Sequence, residues 1–432
     1  MMKQRGILST GKNLLVLVLV FANFLFAADA ELDIVKKSTS LPKIEIGVAP
    51  SAMKKSLTTN IKKMIAKDLK VSGHFDVLDT ALSVDYNMKP DMLTLSNKGT
   101  DLFLNVTSNV SGFGGYSVMI KLYDINSKQL VFNRSFTTSK EERYPFLAHR
   151  IAISINKYLK APPIDWMDKF VIFSQYKKAK KADIIIADYT LTYQKTVIKG
   201  GLNIFPKWAD KKQESFYYTT YDKGIPTLIK TNIYTRQRET IMKSEGMLVA
   251  SDVNSDGTKL LITASPNYQP DIYLYDVNKK SKIRLTTYKG IDVGAHFVEN
   301  DSKIVFVSDR LKYPNIFAKK LGSRGVERLV FHGRNNSSAT THKDFVVYTS
   351  RDRDNEFGTY TFNLYLMSTK TDFLKRLTSN GTNQFPKFSN DGESIIFIKT
   401  HNNRSSIGII RLNYSKSFLF PLKNGKIQSI DW

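Results

Sequence analysis

The stretch "KIQSIDW" at residues 426–432 decides the fold. Chain ends are usually polar and loosely held, yet this one carries two isoleucines and ends on the large aromatic Trp432. Its last six letters align with "NIFPKW" (203–208) and "NQFPKF" (383–388), which also end on an aromatic residue. The alignment indicates that the end of the chain is one copy of a repeated segment.

The repeat extends from about residue 168 onward. Each unit opens on a short segment that ends in a large apolar residue, continues through a polar turn, and then contains three more strand-like segments. The opening segments end at Trp208, Val253, Phe297 and Phe388, with one further unit between the last two, so the period is about 44 residues. That length suits four short antiparallel strands, which form one blade of a β-propeller.

A count of the units predicts how the ring closes. Five complete units occupy residues 203–421, and a sixth set of strands at 169–198 lacks its opening segment. The segment at 427–432 supplies it, so the last strand would complete the first blade and no sheet edge would stay open. We therefore expect residues 166–432 to form an all-β six-bladed β-propeller closed by the C-terminal strand, with Trp432 in its core near Val171. The alternative, an open sandwich of many strands, explains neither the period nor the ending.

Residues 31–165 show a different pattern, in which helix and strand signals are mixed. "KIEIGVAP" (43–50) alternates like a strand, whereas apolar residues within 57–69 recur at helical spacing, and Gly73 would end that helix. We expect an N-terminal α+β domain, in which helices pack on a small sheet. The other predicted elements are a helix at 146–159 and strands within 101–110 and 116–136.

Residues 1–30 carry the three-part pattern of a secretory signal peptide. Three basic residues precede an apolar run of thirteen residues at 14–26, and the small-x-small sequence Ala28-Asp29-Ala30 follows. A membrane anchor is the alternative, but a spanning helix needs roughly 20 apolar residues. We expect cleavage after Ala30, no membrane span in the mature chain, and a location outside the cytoplasm, where nucleic acid is a poor partner.

Composition narrows the chemistry further. The formal net charge is +25, but the lysines are spread thinly, which favours a basic soluble protein over a nucleic-acid binder. The charge could still favour an acidic partner or an anionic envelope surface. The chain has no cysteine, which excludes disulfides, thiolate metal sites and cysteine nucleophiles.

No catalytic or metal motif stands out. The sequence lacks a Gly-x-Ser-x-Gly elbow, a His-Glu-x-x-His motif and a Walker-type loop, and its six histidines lack metal-ligand spacing. We expect structural roles for the histidines, with His296 facing the channel or a neighbouring blade. Residues 252–257 imitate half of a calcium loop, but the twelfth position is Thr263 rather than glutamate, so a polar turn is favoured. We expect no cofactor, no metal and no enzymatic activity.

The loops of a four-stranded meander alternate between two faces. One face receives tight turns such as "NSDG" (254–257), and the other receives long loops such as "SPNYQPD" (265–271) and "SDRLKYPN" (308–315) together with the crossovers. Long loops on a rigid scaffold are where binding usually lies. We expect the partner surface on the long-loop face, around the mouth of the central channel.

Three stretches resemble a known family. They are "ELDIVKKSTSLPKIEIGVAP" (31–50), "LVFNRSFTTSKEERYPFLAHRIAISI" (130–155) and the blade segment "FPKFSNDGESIIFIK" (385–399). Together with the order of signal peptide, α+β domain and closed six-bladed propeller, they resemble the TolB family, the periplasmic component of the Tol–Pal system of Gram-negative bacteria.

The resemblance implies a non-enzymatic protein–protein interaction hub in the periplasm. In that family the propeller binds the peptidoglycan-associated lipoprotein Pal, the mature N-terminus binds TolA, and the network supports outer-membrane invagination during division and outer-membrane integrity. Colicins and other outer-membrane lipoproteins are further candidate partners. The resemblance also suggests that the N-terminal segment is either docked on its own domains or free for TolA, and that Pal binding shifts this balance.

Candidate site residues follow from the same resemblance. The TolA-binding segment could add a strand to the edge of a partner sheet, and the alternative is an unstructured tail. This segment contains Glu31, Leu32, Asp33, Ile34, Val35 and Lys36. The candidate Pal-binding face lies at the crossovers and contains Met247, Asp292, Val293, Asn336, Asn383 and Gln384.

Two other functions stay open from the sequence. The propeller part of a prolyl-oligopeptidase-like serine peptidase would need a hydrolase domain and a nucleophile elbow, and the sequence shows neither. A ligand- or glycan-binding propeller of the envelope would place aromatic and acidic residues around a small pocket at the channel mouth.

Overall fold

Two patterns of apolar residues give two kinds of architecture in the computed structural model. The structure describes residues 41–432 except 53, 79–81, 111–114, 222–223 and 354–359. The predicted signal peptide and TolA-binding segment lie outside the described residues. Among the helices that are described, none combines the length and the apolar character needed to cross a membrane.

The first part is a five-stranded sheet with helices, in the strand order β2-β1-β3-β4-β5. Strand β1 runs parallel to β2 and β3, and the remaining pairs are antiparallel. The strands are β1 (Lys43–Val48), β2 (Asp76–Leu78), β3 (Leu102–Val110), β4 (Tyr116–Asp124) and β5 (Gln129–Thr138). The helices are α1 (Lys55–Ser72), α2 (Met92–Asn97) and α3 (Tyr144–Tyr158).

Helices α1 and α3 form because their apolar residues recur at helical spacing. In α1, Leu57, Ile61 and Leu69 lie on one buried face, and Gly73 ends the helix in the left-handed conformation with φ of 80°. The buried faces of α1 and α3 pack on the sheet and form one apolar core with it. The two predicted helices are confirmed, whereas α2 and β2 were not predicted because six and three residues are too few to show a period.

The second part consists of strands joined by turns and short 3-10 segments. Its strands form successive antiparallel meanders. They are β6 (Val171–Lys178), β7 (Lys181–Ala187), β8 (Gln194–Ile198), β9 (Asn203–Trp208), β10 (Ser215–Thr220), β11 (Thr227–Asn232), β12 (Arg238–Lys243), β13 (Leu248–Val253), β14 (Lys259–Ala264), β15 (Asp271–Asp276), β16 (Ser281–Arg284), β17 (Asp292–Val298), β18 (Lys303–Ser308), β19 (Asn315–Lys320), β20 (Glu327–Arg328), β21 (Arg334–His342), β22 (Phe345–Arg353), β23 (Tyr360–Ser368), β24 (Leu374–Arg376), β25 (Thr382–Phe388), β26 (Ser394–His401), β27 (Arg404–Arg411), β28 (Lys416–Pro421) and β29 (Lys426–Asp431).

The first strands of the meanders lie side by side around a common channel. Strands β9, β13, β17, β21 and β25 contact one another in that order, and β29 contacts both β9 and β25. We call these six the inner strands. The meanders that begin at β21 and β25 are also joined by a single parallel bridge between Phe362 and Thr382.

Strand β29 lies in the same sheet as β6, β7 and β8. It pairs antiparallel with β6, with Ile430 opposite Phe173 and Asp431 opposite Ile172. Ile427 and Ile430 are buried, whereas Trp432 is only partly buried. The indole of Trp432 packs edge-on against that of Trp166, at 5.1 Å between centroids, so it lies at the rim of the core rather than inside it.

Candidate binding site at the channel mouth

The inner strands bulge near the end where the crossovers enter them. Register shifts interrupt the pairing of β9, β17 and β25 with their neighbours. Within the bulges Phe205 and Phe385 adopt left-handed φ values of 54° and 53°. Such backbone costs an aromatic residue roughly 1–2 kcal/mol and is concentrated at functional sites. In both strands the next two residues are proline and lysine, so the same strained Phe-Pro-Lys turn occurs twice at the mouth.

The bulges border a cavity of about 260 Å³, which we call the mouth cavity. Its wall is largely apolar, with Phe205, Met247, Val293 and Phe385 among its residues. The wall also contains the basic side chains Lys207, His296 and Lys387, and no described carboxylate lines it.

A ring of polar side chains lies deeper in the channel, at equivalent positions of the six inner strands. The register of each strand with its neighbour defines these positions. The polar ring consists of Asp431, Lys207, Asp252, His296, Thr340 and Lys387.

An ion-pair chain occupies one side of the polar ring. Lys207 Nζ lies 3.2 Å from Oδ1 of both Asp252 and Asp431. Burial alone lowers the pKa of Lys207, but the two carboxylates outweigh it and raise that pKa above its ordinary value. The other oxygens accept backbone hydrogen bonds from the next meander, at 2.9 Å from Trp208 N to Asp431 and 3.1 Å from Phe297 N to Asp252. These ion pairs and hydrogen bonds therefore connect neighbouring meanders.

On the other side of the polar ring, the basic side chains have fewer hydrogen-bond and ion-pair partners. Within the part of the chain that the structure describes, Lys387 Nζ has no hydrogen bond or salt bridge. Burial and the nearby charge of Lys207 lower the pKa of Lys387 to about 8. His296 faces the channel, as expected, and its Nδ1 lies 3.5 Å from Asp252 Oδ2. Burial and Lys387 lower the pKa of His296, although Asp252 acts in the opposite direction. Basic groups thus dominate the floor of the mouth cavity.

The opposite end of the channel has a different character. A cavity of about 600 Å³ there is lined by four aspartates, Asp210, Asp252, Asp256 and Asp431, together with lysines. Residues 254–257 form the turn between β13 and β14, as the sequence indicated, and Asp252 and Val253 are the last two residues of β13. Asp256 Oδ1 accepts from Thr258 N at 2.9 Å, so it closes the turn.

The structure separates the candidate Pal-binding residues into two groups. Met247 and Val293 line the mouth cavity, and Met247 is 40% exposed. Gln384 is partly buried. Asp292, Asn336 and Asn383 are completely buried, so their side chains are not available on the surface of the free protein.

The three buried residues hold the crossovers instead. Arg310 Nη2 donates to both carboxylate oxygens of Asp292 at 3.1 Å. Asn336 Nδ2 donates to Asn315 Oδ1 and to the His332 carbonyl, each at 3.0 Å. Asn383 Nδ2 donates to two backbone carbonyls in the same way. Contact of the six candidates with a partner stays a prediction.

Sequence reasoning missed several residues of this site. Lys207, Lys387 and the two strained phenylalanines were used only to align the repeat. The tripeptide Phe-Pro-Lys, which occurs at 205–207 and again at 385–387, was the signal that could have identified them.

Comparison with known proteins identifies the family. Residues 169–432 match the model described as the TolB beta propeller domain, and residues 30–131 match that of the TolB amino-terminal domain. A crystal structure of TolB from Acinetobacter baumannii has a similar fold, with a TM-score of 0.74, 21% identity, and coverage of 91% of this chain and 97% of that chain.

Similar curated proteins extend over nearly the whole length. The Tol-Pal system protein TolB of Wolinella succinogenes is 50% identical over 411 residues, which are 94% of this chain and 97% of the relative. The protein of the same name from Campylobacter jejuni is 46% identical over 423 residues, which are 98% of this chain and 100% of the relative. The chain therefore belongs to the TolB family and combines a TolB amino-terminal domain with a TolB β-propeller.

Proposed function

We propose that this protein is a non-enzymatic interaction hub of the Tol–Pal system in the periplasm. It binds Pal through the mouth of the propeller and TolA through residues 31–36, and it thereby supports outer-membrane invagination during division and outer-membrane integrity. The observation that carries the proposal is the near-complete coverage by relatives named Tol-Pal system protein TolB, at 46% and 50% identity.

The proposal includes the finer architecture. A signal peptide at 1–30 directs export, an α+β domain occupies 31–165, and a six-bladed propeller occupies 166–432. Strand β29 closes the ring by completing the sheet of β6. The pairing of β29 with β6 and the circular contacts of the inner strands support this arrangement.

The mouth cavity suits a protein partner. It is concave, its wall is largely apolar, and it lies where the crossovers reach the inner strands. Val293 lines it and lies beside Asp292, whose ion pair with Arg310 fixes the start of β17. A docked side chain would therefore meet a surface whose shape is already set.

A capture experiment with the mature chain, residues 31–432, tests both binding sites. Envelope extract from the source bacterium should yield Pal and TolA. A variant without residues 31–40 should lose TolA and retain Pal, and Val293→Asp should lose Pal and retain TolA. Ile283→Asp is the matched control, because Ile283 is 65% exposed on the outer strand β16.

Two results would contradict the proposal. One is full-affinity TolA binding by the chain that lacks residues 31–40. The other is Pal capture that Val293→Asp and Ile283→Asp leave equally unchanged. Recovery of a released peptide fragment or a soluble sugar in place of Pal would instead favour the peptidase or the glycan-binding alternative.

A further inference from the structure

The charges of the polar ring are not evenly satisfied. Both oxygens of Asp431 are occupied, one by Lys207 Nζ and one by Trp208 N. Both oxygens of Asp252 are likewise occupied, by Lys207 Nζ and by Phe297 N. The two carboxylates nearest to Lys387 are therefore committed to other donors.

Lys387 is left as a partly buried ammonium group without a contacting counter-charge among the described residues. A partly buried ammonium group keeps only part of its hydration, so contact with an anion would replace interactions with water that it has lost. An ammonium group also offers three donors, and here they face a cavity wall that contains two more basic groups and no described carboxylate. Asp252 and Asp431 act on Lys387 only through space, so the three donors of its ammonium group stay available to an incoming anion.

The size and chemistry of the mouth cavity restrict which anion fits. About 260 Å³ is far more than a single water molecule requires, so a small organic acid or a side chain can enter. No arginine is among the described residues that line the cavity, and guanidinium groups are the usual partners of phosphate. An apolar wall above a single ammonium group suits a carboxylate on a short carbon chain. A cation is disfavoured, because Lys207 already occupies the position between Asp252 and Asp431.

We propose that the floor of the mouth cavity is a carboxylate-binding site, in which Lys387 Nζ is the charged anchor and His296 lies beside it. The carboxylate belongs either to a small free acid or to an aspartate or glutamate side chain of a protein docked at the mouth. The second source rests on the proposed function, whereas the first does not.

Titration with succinate tests the site on the full mature chain. Calorimetry should detect succinate binding at matched ionic strength, with sodium chloride as the reference salt. Lys387→Met removes the charge and keeps the length, so it should weaken succinate binding at least 10-fold. Lys416→Met is the matched control, because Lys416 is exposed on β28 and should leave binding unchanged. The melting temperature of Lys387→Met should not fall, since the substitution removes an unpaired ion.

A second titration, with purified Pal, distinguishes the two sources. If Pal supplies the carboxylate, Lys387→Met should weaken Pal binding at least 10-fold, and succinate should compete with Pal for the site. If a free acid is the ligand, only succinate binding should depend on Lys387. Failure of Pal to bind at all would remove the proposed function but would leave the succinate result standing. Equal behaviour of Lys387→Met and the original chain in both titrations would overturn the carboxylate site.

Discussion

His149 Nδ1 lies 2.8 Å from Asp68 Oδ2, in a contact between two completely buried side chains. His149 belongs to α3 and Asp68 to α1. On its other side His149 Nε2 faces Asp188 Oδ2 at 3.5 Å, and Tyr189 OH donates to Asp68 Oδ1 at 2.6 Å. Asp188 and Tyr189 follow β7, so a buried charge cluster joins the α+β part to the first meander.

Replacement of His149 should destabilise the protein strongly. His149→Ala leaves Asp68 and Asp188 buried without their shared cation, and removal of one partner of a buried ion pair typically costs about 3–5 kcal/mol. Urea denaturation followed by circular dichroism measures the loss. His401→Ala is the control, because His401 is exposed at the end of β26 and should change the free energy of unfolding by no more than about 0.5 kcal/mol. Equal losses for the two variants would contradict a stabilising role for the cluster.

The contribution of His149 to the free energy of unfolding should decrease at alkaline pH. Burial alone lowers the pKa of His149, but Asp68 and Asp188 outweigh burial and raise it to about 10. An unfolded histidine has a pKa of about 6.5. Because the pKa is higher in the folded state, the stabilisation is fully present below about pH 6.5 and is lost as the pH rises toward 10. The difference in unfolding free energy between the original chain and His149→Gln should therefore shrink between pH 6.5 and pH 10. A difference that stays constant across this range would show that His149 does not titrate as a cation.

Removal of β29 should destabilise the propeller. Deletion of residues 426–432 exposes the edge of β6 and the apolar partners of Ile427 and Ile430, whose burial is worth about 3–6 kcal/mol. The melting temperature should fall well below that of the intact chain. Trp432→Ala is a milder comparison, because Trp432 is only partly buried and the strand remains. If the truncated chain melts at the same temperature as the intact chain, β29 does not close the ring.

A methyl group at Gly73 should destabilise the junction between the two parts. Gly73 has φ of 80°, and a Cβ atom there would lie 3.0 Å from Tyr414 Cγ. Gly73→Ala combines backbone strain with this contact and should lower the free energy of unfolding by about 2–3 kcal/mol. Gly322→Ala separates the two effects, because Gly322 has φ of 81° with nothing within 4 Å of an added Cβ atom. The control should lose only about 1 kcal/mol, and an equal loss at both sites would exclude the contact with Tyr414.

The helices and the repeated strands were predictable, because each follows from a periodic pattern of apolar residues that are close in sequence. The helical spacing from Leu57 to Leu69 gave α1, and the repeat of about 44 residues located the inner strands and aligned 427–432 with 203–208. Gly73 ended α1 as expected, since a left-handed residue at a helix end favours glycine. Each of these patterns involves residues that are separated by no more than a few helical turns or one repeat unit.

The contacts that the sequence did not reveal join residues far apart. Asp68 and His149 are 81 positions apart, and no spacing rule connects an aspartate on one helix to a histidine on another. Asp292, Asn336 and Asn383, which the family resemblance suggests for the Pal-binding face, are buried and hold the crossovers by hydrogen bonds, and their contact with Pal stays a prediction. The surroundings of Lys387 depend on inner strands that are far apart in sequence, so no local pattern predicts them.

The hydrogen bond between Ser174 Oγ and Gln428 Oε1 joins residues 254 positions apart, the separation that β29 must bridge to reach β6. During synthesis β6 emerges long before β29, so the backbone donors and acceptors on that edge of β6 stay unpaired while the intervening meanders are made. Strand pairs with such a large sequence separation form slowly, because the entropy of loop closure is lost before the stabilising contacts between the strands are made. An unpaired strand of this kind is also a template for association with other chains. In a nascent molecule this edge of β6 therefore stays unpaired until residues 426–431 have been synthesised.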